Sequence, residues 1–397
     1  MFKHVPPYAG DPILSLVESY KQDPREQKVN LSIGVYYDEQ GLVPIPAALR
    51  EVQQAFKPST EGELYLPMEG YAPYRKAVQH LIFGADSPAL ADERIATIQS
   101  LGGSGALMIG ADFLKHYFPQ SEVWVSTPTW ENHIAIFQGA GFKTHAYPYF
   151  DPETGGVDLE AMLNSLKQLP AQSIVLLHPC CHNPTGADLT PAQWDQVLDV
   201  IEAGELIAFM DMAYQGLGDS MEADTYAIRA LTARGYPFLL SNSFSKVFSL
   251  YAERVGALSI ICSNAETAER VLGQLKATVR RNYSSPAKHG ARLVSEVLND
   301  ARLNAQWQTE VAEMRQRLVS MREQLVSALS SALPDQDFSY MTQQKGMFSY
   351  TGLSPAQVVR LRDEHGVYLI DSGRMCVAGL NQRNIETVAQ AIAKVSA

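Results

Sequence analysis

The sequence predicts an α/β fold: a doubly wound, mostly parallel seven-stranded sheet joined to a smaller α+β domain. Three observations carry that expectation. From residue 95 onward, apolar runs at 95–101, 123–126, 142–147, 173–178, 206–212, 238–241 and 255–262 alternate with helical patterns such as 106–118, 191–201 and 223–234. Such alternation implies parallel strands joined by crossover helices. Over 306–333, Val311, Met314, Leu318, Met321, Leu325, Ala328 and Leu329 recur at spacings of three and four, one long amphipathic helix that Pro334 ends. The chain has 397 residues, more than the ~250–300 at which single cores stop growing.

In order along the chain, residues 1–12 read as an extended arm, because Pro6, Pro7, Gly10 and Pro12 oppose a helix. A helix starts at Ile13, with Asp11 as N-cap and Pro12 at its first position. Residues 29–37 alternate as a strand would and end at the turn Asp38-Glu39-Gln40-Gly41. A helix over 46–56 precedes the alternating region. After the long helix, Phe348-Ser349-Tyr350, Val367-Tyr368-Leu369-Ile370 and Met375-Cys376-Val377 suggest short strands, closed by a helix over 382–395. The expected division is an arm (1–12), a small domain (13–45 and 314–397) and a large domain (46–313).

The net charge of −11 argues against a general binder of nucleic acid or anionic membranes, which needs clustered Lys and Arg. No apolar run reaches the ~18 residues of a membrane span, and the start has no apolar signal region. Cys180, Cys181, Cys262 and Cys376 lack metal-ligand spacing and read as reduced thiols. A cytoplasmic protein is expected.

The chemistry gathers at the strand ends, where open α/β sheets bind ligands. Gly102-Gly103-Ser104-Gly105 follows 95–101 and opens a helix, so its backbone N–H groups and the Ser104 hydroxyl suit an anion. A plain tight turn explains the glycines equally well. Asp211 ends 206–212, where a carboxylate is costly unless it meets a cation or donors; an N-cap or a partnered structural aspartate is the simpler reading. His178, Cys180, Cys181 and His182 cluster before Asn183-Pro184-Thr185-Gly186, but their spacing does not suit a metal. Trp130 taken alone is core packing. Lys246 taken alone is a solvated surface lysine.

Ser241-Asn242-Ser243-Phe244-Ser245-Lys246, followed by Arg254-Val255-Gly256, resembles the lysine segment of the fold-type I, pyridoxal-phosphate-dependent aminotransferases, the aspartate aminotransferase family in particular. Asn183-Pro184-Thr185-Gly186 and Ser372-Gly373-Arg374 extend the resemblance, which runs from Tyr8-Ala9-Gly10-Asp11-Pro12 to nearly the end of the chain. It implies that Lys246 holds pyridoxal 5'-phosphate covalently and that Asp211 pairs with the ring nitrogen, supported by His133. Asn183 and Tyr214 would contact the ring oxygen, and Trp130 would stack on the ring. Gly103, Ser104, Ser243 and Arg254 would hold the phosphate. Arg374 would clamp the substrate α-carboxylate in a bidentate pair that guanidinium suits, with Gly34, Trp130 and Asn183 also against the substrate. Tyr65 and Arg280 resemble residues that reach a neighbouring subunit's site, which implies a homodimer with shared active sites.

The implied reaction is ping-pong transamination with 2-oxoglutarate as acceptor. Arg280 matches the arginine that reads a distal carboxylate, so aspartate and glutamate should bind. Yet Tyr37, Val43, Leu64, Ser104 and Ser285 make the surrounding positions apolar or small, similar to bacterial aromatic-amino-acid (tyrosine) aminotransferases. An aromatic side chain cannot share space with an unpaired buried guanidinium, so Arg280 would turn toward solvent. One pocket for dicarboxylic and aromatic substrates (tyrosine, phenylalanine) is expected. The alternatives are a strict aspartate aminotransferase, another pyridoxal-phosphate reaction such as decarboxylation, and a non-catalytic phosphate- or nucleotide-binding module.

Overall fold

A computed structural model describes residues 1–7, 10–56 and 62–396, apart from the side chains of Pro12 and Leu14. Tyr8 and Ala9, where the resemblance begins and which belong to the expected arm, lie outside the described residues. The seven expected strands form one sheet: β1 (Ile95–Leu101), β2 (Val123–Thr127), β3 (Thr144–Pro148), β4 (Ile174–Leu177), β5 (Ile207–Met212), β6 (Phe238–Ser243) and β7 (Val255–Ile261), in the order β1-β7-β6-β5-β4-β2-β3. All neighbours pair in parallel except β7, which is antiparallel to both β1 and β6.

Side chains alternate across a strand, and here both faces are buried, which is why the runs are continuously apolar. In β4, Val175 and Leu177 enter one core while Ile174 and Leu176 enter the other. The reversed direction of β7 has a chemical consequence. Its first residue, Val255, lies beside Leu101 at the end of β1, and Gly256 lies beside Ser243 at the end of β6. Arg254 therefore starts from the same sheet edge at which the other strands finish.

The long helix, α2, runs over Ala301–Ala332. It begins earlier than the expected 306, because Asp300 accepts a hydrogen bond from the Leu303 N–H at 2.9 Å and caps it. Near its start Trp307 is buried, stacks on Phe248 at 4.5 Å and donates Nε1–H to the Val247 carbonyl at 2.8 Å. The residue beside Lys246 is thus tied to the helix. At the helix N-terminus of the chain, Pro12–Gln22, the Asp11 carboxylate accepts from the Ile13 N–H at 2.9 Å, as expected of the cap.

Three local expectations change. Residues 29–37 are strand only at Val29–Asn30, because the parallel partner is the two-residue strand Val367–Tyr368. Beyond it the Asn30 side chain accepts from Ser32 N–H and O–H, turning the chain. The pattern over 223–234 divides into a 3-10 turn, Ala223–Thr225, and a helix, Tyr226–Ala233. The closing helix begins at Ile385, not 382, since Asn381 accepts from the Asn384 N–H at 3.2 Å and sets its start. Among the described residues, no helix is long and apolar enough to cross a membrane.

Trp307→Phe keeps the stacking ring but leaves the Val247 carbonyl buried without its donor. The expected loss is about 1–3 kcal/mol, read as a lower urea midpoint of the cofactor-free chain with an unchanged m-value.

Candidate active site

At the carboxyl edge of the sheet lies a cavity of about 250 Å³. Gly34, Gly103, Ser104, Trp130, Asn183, Asp211, Tyr214, Ser243, Lys246, Arg254 and Arg374 all line it. Lys246, Arg254 and Arg374 supply three cationic side chains against the single carboxylate Asp211, so the cavity suits anionic ligands.

One end of the cavity is built on α1 (Gly102–Tyr117), whose first turn is the expected glycine stretch and carries no acidic residue. The orphan N–H groups of a helix start and its positive dipole favour an anion here. Gly102 has φ +69°, and a Cβ there would fall 2.6 Å from Arg254 Nη2. Glycine is therefore required for the guanidinium to lie against the helix start. Arg254 Nη1 donates to the Tyr251 carbonyl at 3.0 Å, and Ser243 Oγ accepts from the Ser245 N–H at 3.2 Å. This corner can hold a phosphate.

At the centre, Asp211 Oδ2 accepts from His133 Nε2 at 3.0 Å, and Thr129 Oγ1 bonds His133 Nδ1 at 2.9 Å. Burial pushes the Asp211 carboxyl up, but the hydrogen bond and electrostatic attraction of His133 outweigh it and hold it below its ordinary value. Asp211 is ionised at neutral pH. The Lys246 Nζ lies 5.1 Å from the Tyr214 ring centroid. Burial pushes the lysine down to about 8; the attraction of Asp211 opposes the shift, and Arg254 and Arg374 reinforce it. Burial likewise raises the Tyr214 phenol.

At the opposite end Arg374 is buried, with Nη2 donating to the Ser32 carbonyl at 2.6 Å and Nη1 to Asn183 Oδ1 at 3.3 Å. Its Nε has no hydrogen-bond partner among the described residues. A buried guanidinium with an open donor is a site for a carboxylate. Burial lowers its pKa from the ordinary value.

Two expected residues lie elsewhere. Tyr65 is 92% exposed, and Arg280 is exposed, with Nη1 donating to Ser284 Oγ. Of the positions expected to make the pocket apolar or small, Ser104 lines the cavity, whereas Val43 and Leu64 are exposed. The cavity also takes in residues to which sequence reasoning assigned no part: Ile13, Ile33, His178, Cys180, Ala213, Ser245 and Phe348. His178 carried a signal, a polar residue directly after a buried strand. Its Nδ1 accepts from the Asn183 N–H at 3.2 Å, and burial pushes it down to about 3, so it is neutral. Phe348 and the two isoleucines carried none, since nothing in the sequence distinguishes them from core residues.

The Cys180 and Cys181 thiols lie within 4.8 Å of an Asp224 oxygen. Asp224 accepts from the Gly216, Gly218 and Asp219 N–H groups at 2.7, 2.9 and 2.8 Å. Burial pushes the Cys181 thiol up to about 11. The carboxylate's partners and the protonated thiol describe a packed loop.

Residues 26–392 match the family described as aminotransferase class I and II. The chain belongs to that family. This aminotransferase is 61% identical over 396 residues to the aromatic-amino-acid aminotransferase of Escherichia coli (strain K12), covering 100% of both chains. It superposes on the crystal structure of the aromatic-amino-acid aminotransferase from Burkholderia pseudomallei covalently bound to pyridoxal phosphate with TM-score 0.97 and 49% identity, covering 100% and 99% of the two chains. Against the psychrophilic aromatic amino acids aminotransferase from Psychrobacter sp. B6, cocrystallised with aspartic acid, the TM-score is 0.98 and the identity 52%, with 100% of each chain covered.

The lowered Lys246 pKa has a consequence for the cofactor-free aminotransferase. Between pH 8 and 10.5 the unfolded chain holds the lysine proton and the folded chain does not, so stability rises with pH across that window. Below pH 8 the folded protein must carry a poorly hydrated ammonium. Lys246→Met should therefore have a higher Tm than wild type at pH 7, and the gap should narrow toward pH 10.5. A gap that does not vary with pH would show that this lysine is normally solvated.

Proposed function

We propose that this aminotransferase transfers the amino group of aromatic and dicarboxylic amino acids to 2-oxo acids such as 2-oxoglutarate, in two half-reactions, with pyridoxal phosphate as cofactor. The observation that carries the reading is the convergence of Lys246, Asp211 and Arg374 on one cavity. Similarity to an aromatic-amino-acid aminotransferase over the whole chain supports the aromatic preference.

The residues fit the cofactor. The α1 start, Ser104, Ser243 and Arg254 would hold its phosphate, at a place where a side chain on Gly102 would displace the guanidinium. Asp211 would hold a proton on the ring nitrogen, and Asn183 and Tyr214 would meet the ring oxygen, with Trp130 against the ring. When bound, pyridoxal phosphate supplies an aldehyde that takes up the amino group and a protonated ring that withdraws electrons from Cα.

The chain's own residues supply the rest. Arg374 binds the α-carboxylate through the open Nε and fixes Cα over the cavity. Lys246, with a pKa near 8, has an appreciable free-amine fraction at neutral pH and takes the proton from the substrate Cα. Asp211, ionised through its bond to His133, keeps positive charge on the ring nitrogen where electron density accumulates.

Arg280 and Tyr65 would complete the site of a neighbouring copy in a homodimer, a role that their exposure within one chain supports. Arg280 would pair with the distal carboxylate of aspartate and turn away for aromatic side chains. Residues 13–45 and 314–397 would form a small domain that carries Arg374, and 46–313 the domain that carries Lys246. Four buried free cysteines suit a reducing, cytoplasmic setting.

Arg280→Leu should lower kcat/KM for aspartate by ~10-fold to 100-fold, as loss of a charge-assisted pair implies. Phenylalanine and tyrosine should keep their rates. The measurement is the amino-donor half-reaction, since 2-oxoglutarate would itself depend on Arg280. Equal losses for both substrate classes would remove the assigned role.

Shared sites have a separate test. Co-expressed Arg280→Leu and Lys246→Ala chains should form hybrids in which one site joins an intact Lys246 to the partner's intact arginine. Aspartate activity of the purified hybrid should rise above that of either parent, since Arg280→Leu alone keeps only the lowered rate and Lys246→Ala lacks the catalytic amine. A hybrid no more active than the Arg280→Leu parent would mean that Arg280 serves its own chain's site.

A further inference from the structure

Arg322 lies on α2 and is 3% exposed. A buried guanidinium is costly unless its donors are satisfied, and among the described residues it makes no ion pair. Its donors go to one short stretch of backbone and a hydroxyl. Nε donates to Ser349 Oγ at 3.1 Å, and Nη2 donates to the Gly346 and Phe348 carbonyls at 2.6 and 2.8 Å. Burial pushes its pKa down to about 10, which leaves it charged at neutral pH.

The stretch held in this way enters the active site. The strand Phe348–Tyr350 pairs with Arg374–Cys376, Tyr350 lying opposite Arg374 and Phe348 opposite Cys376. The Phe348 ring lines the cavity and lies 4.5 Å beneath the Arg374 guanidinium. Gly34 approaches the tip of the ring so closely that a Cβ there would fall 2.8 Å from Phe348 Cζ. The Tyr214 ring meets Phe348 edge-on at 5.8 Å. Among the described residues, the Arg374 guanidinium has three restraints: the Ser32 carbonyl, Asn183 Oδ1 and this ring.

We propose that Arg322 is a positioning residue for the substrate carboxylate. By holding the Phe348 backbone it fixes the aromatic plate on which Arg374 lies, and so aims the open Nε of the clamp. The proposal rests on Arg374 being that clamp. A cation held over a ring face is oriented as well as attracted, and small misplacements of a clamp weaken binding of whatever it orients. The carboxylate is common to every substrate, so the effect should not discriminate between aspartate and phenylalanine. It should also spare the cofactor's phosphate contacts, which lie at the other end of the cavity.

The test uses the holoenzyme and 3-phenylpropanoate, a carboxylate with no amino group to react, titrated by the change in cofactor absorbance. Arg322→Met should raise its Kd about 10-fold and raise KM for aspartate and phenylalanine by a similar factor, with kcat within about 3-fold of wild type. The retention of cofactor by the free holoenzyme should be unchanged. A lower Tm with Kd and KM unaltered would make Arg322 merely structural and overturn the proposal.

If Arg322→Met does not fold, Arg322→Lys keeps the charge but cannot serve all three acceptors, and it takes the same measurements. Phe348→Leu should reproduce the Kd increase, and the double variant should add little to it. Fully additive losses would separate the two residues and overturn the proposal. Arg374→Lys is the reference: if it leaves the affinity for 3-phenylpropanoate unchanged, the clamp assignment fails and the proposal falls with it, whereas if it weakens binding and Arg322→Met does not, the proposal alone fails.

Discussion

The bond between His133 and Asp211 is the interaction around which the cavity is organised. Asp211 stands at the end of a central strand, where burial works against its charge, and His133 offsets that cost from the helix Glu131–Gly139, which follows β2, two strands away in the sheet. Because an ionised carboxylate only accepts hydrogen bonds, the contact requires the proton on His133 Nε2. Thr129 holds the other ring nitrogen. With one negative charge secured, the cavity can carry Lys246, Arg254 and Arg374 at its remaining walls, and these divide its anion-binding capacity between two ends.

That division follows from topology. A purely parallel sheet would send the residue before β7 to the far edge. The antiparallel course of β7 returns Arg254 to the edge where β1 and β6 finish, beside the start of α1. Arg374 comes instead from the short strand Arg374–Cys376, held against Phe348–Tyr350 and the Ser32 carbonyl. One end of the site is thus built on the large sheet and the other on the small one. α2 spans the two, touching Val247 through Trp307 and the Phe348 backbone through Arg322. A mechanical link of this kind lets two anion sites on separate sheets keep a common spacing.

Much of this was legible in the chain. The seven strands follow from continuous apolar runs of the right length, because burial on both faces leaves no other pattern. Lys246, Arg254 and the Asn183-Pro184-Thr185-Gly186 turn stood out as poor core formers placed at strand ends, and their resemblance to the aminotransferase motifs made the family legible. Strand-like alternation over 29–37 misled for a physical reason: the pattern reports which side chains are buried, whereas a strand needs a partner backbone, and Val367–Tyr368 supplies only two residues of it.

What the sequence by itself determined is the layered fold and the inventory of reactive groups, since both rest on local periodicity and on residue types that have few other uses. What only the tertiary structure decided is how those groups act on one another. The lowered lysine pKa, the open donor of Arg374, and the parts taken by Phe348 and Arg322 depend on neighbours far away in the chain. The solvent exposure of Arg280 within a single chain is settled in the same way. Burial and electrostatics act through distance in space, and a linear sequence does not record that distance.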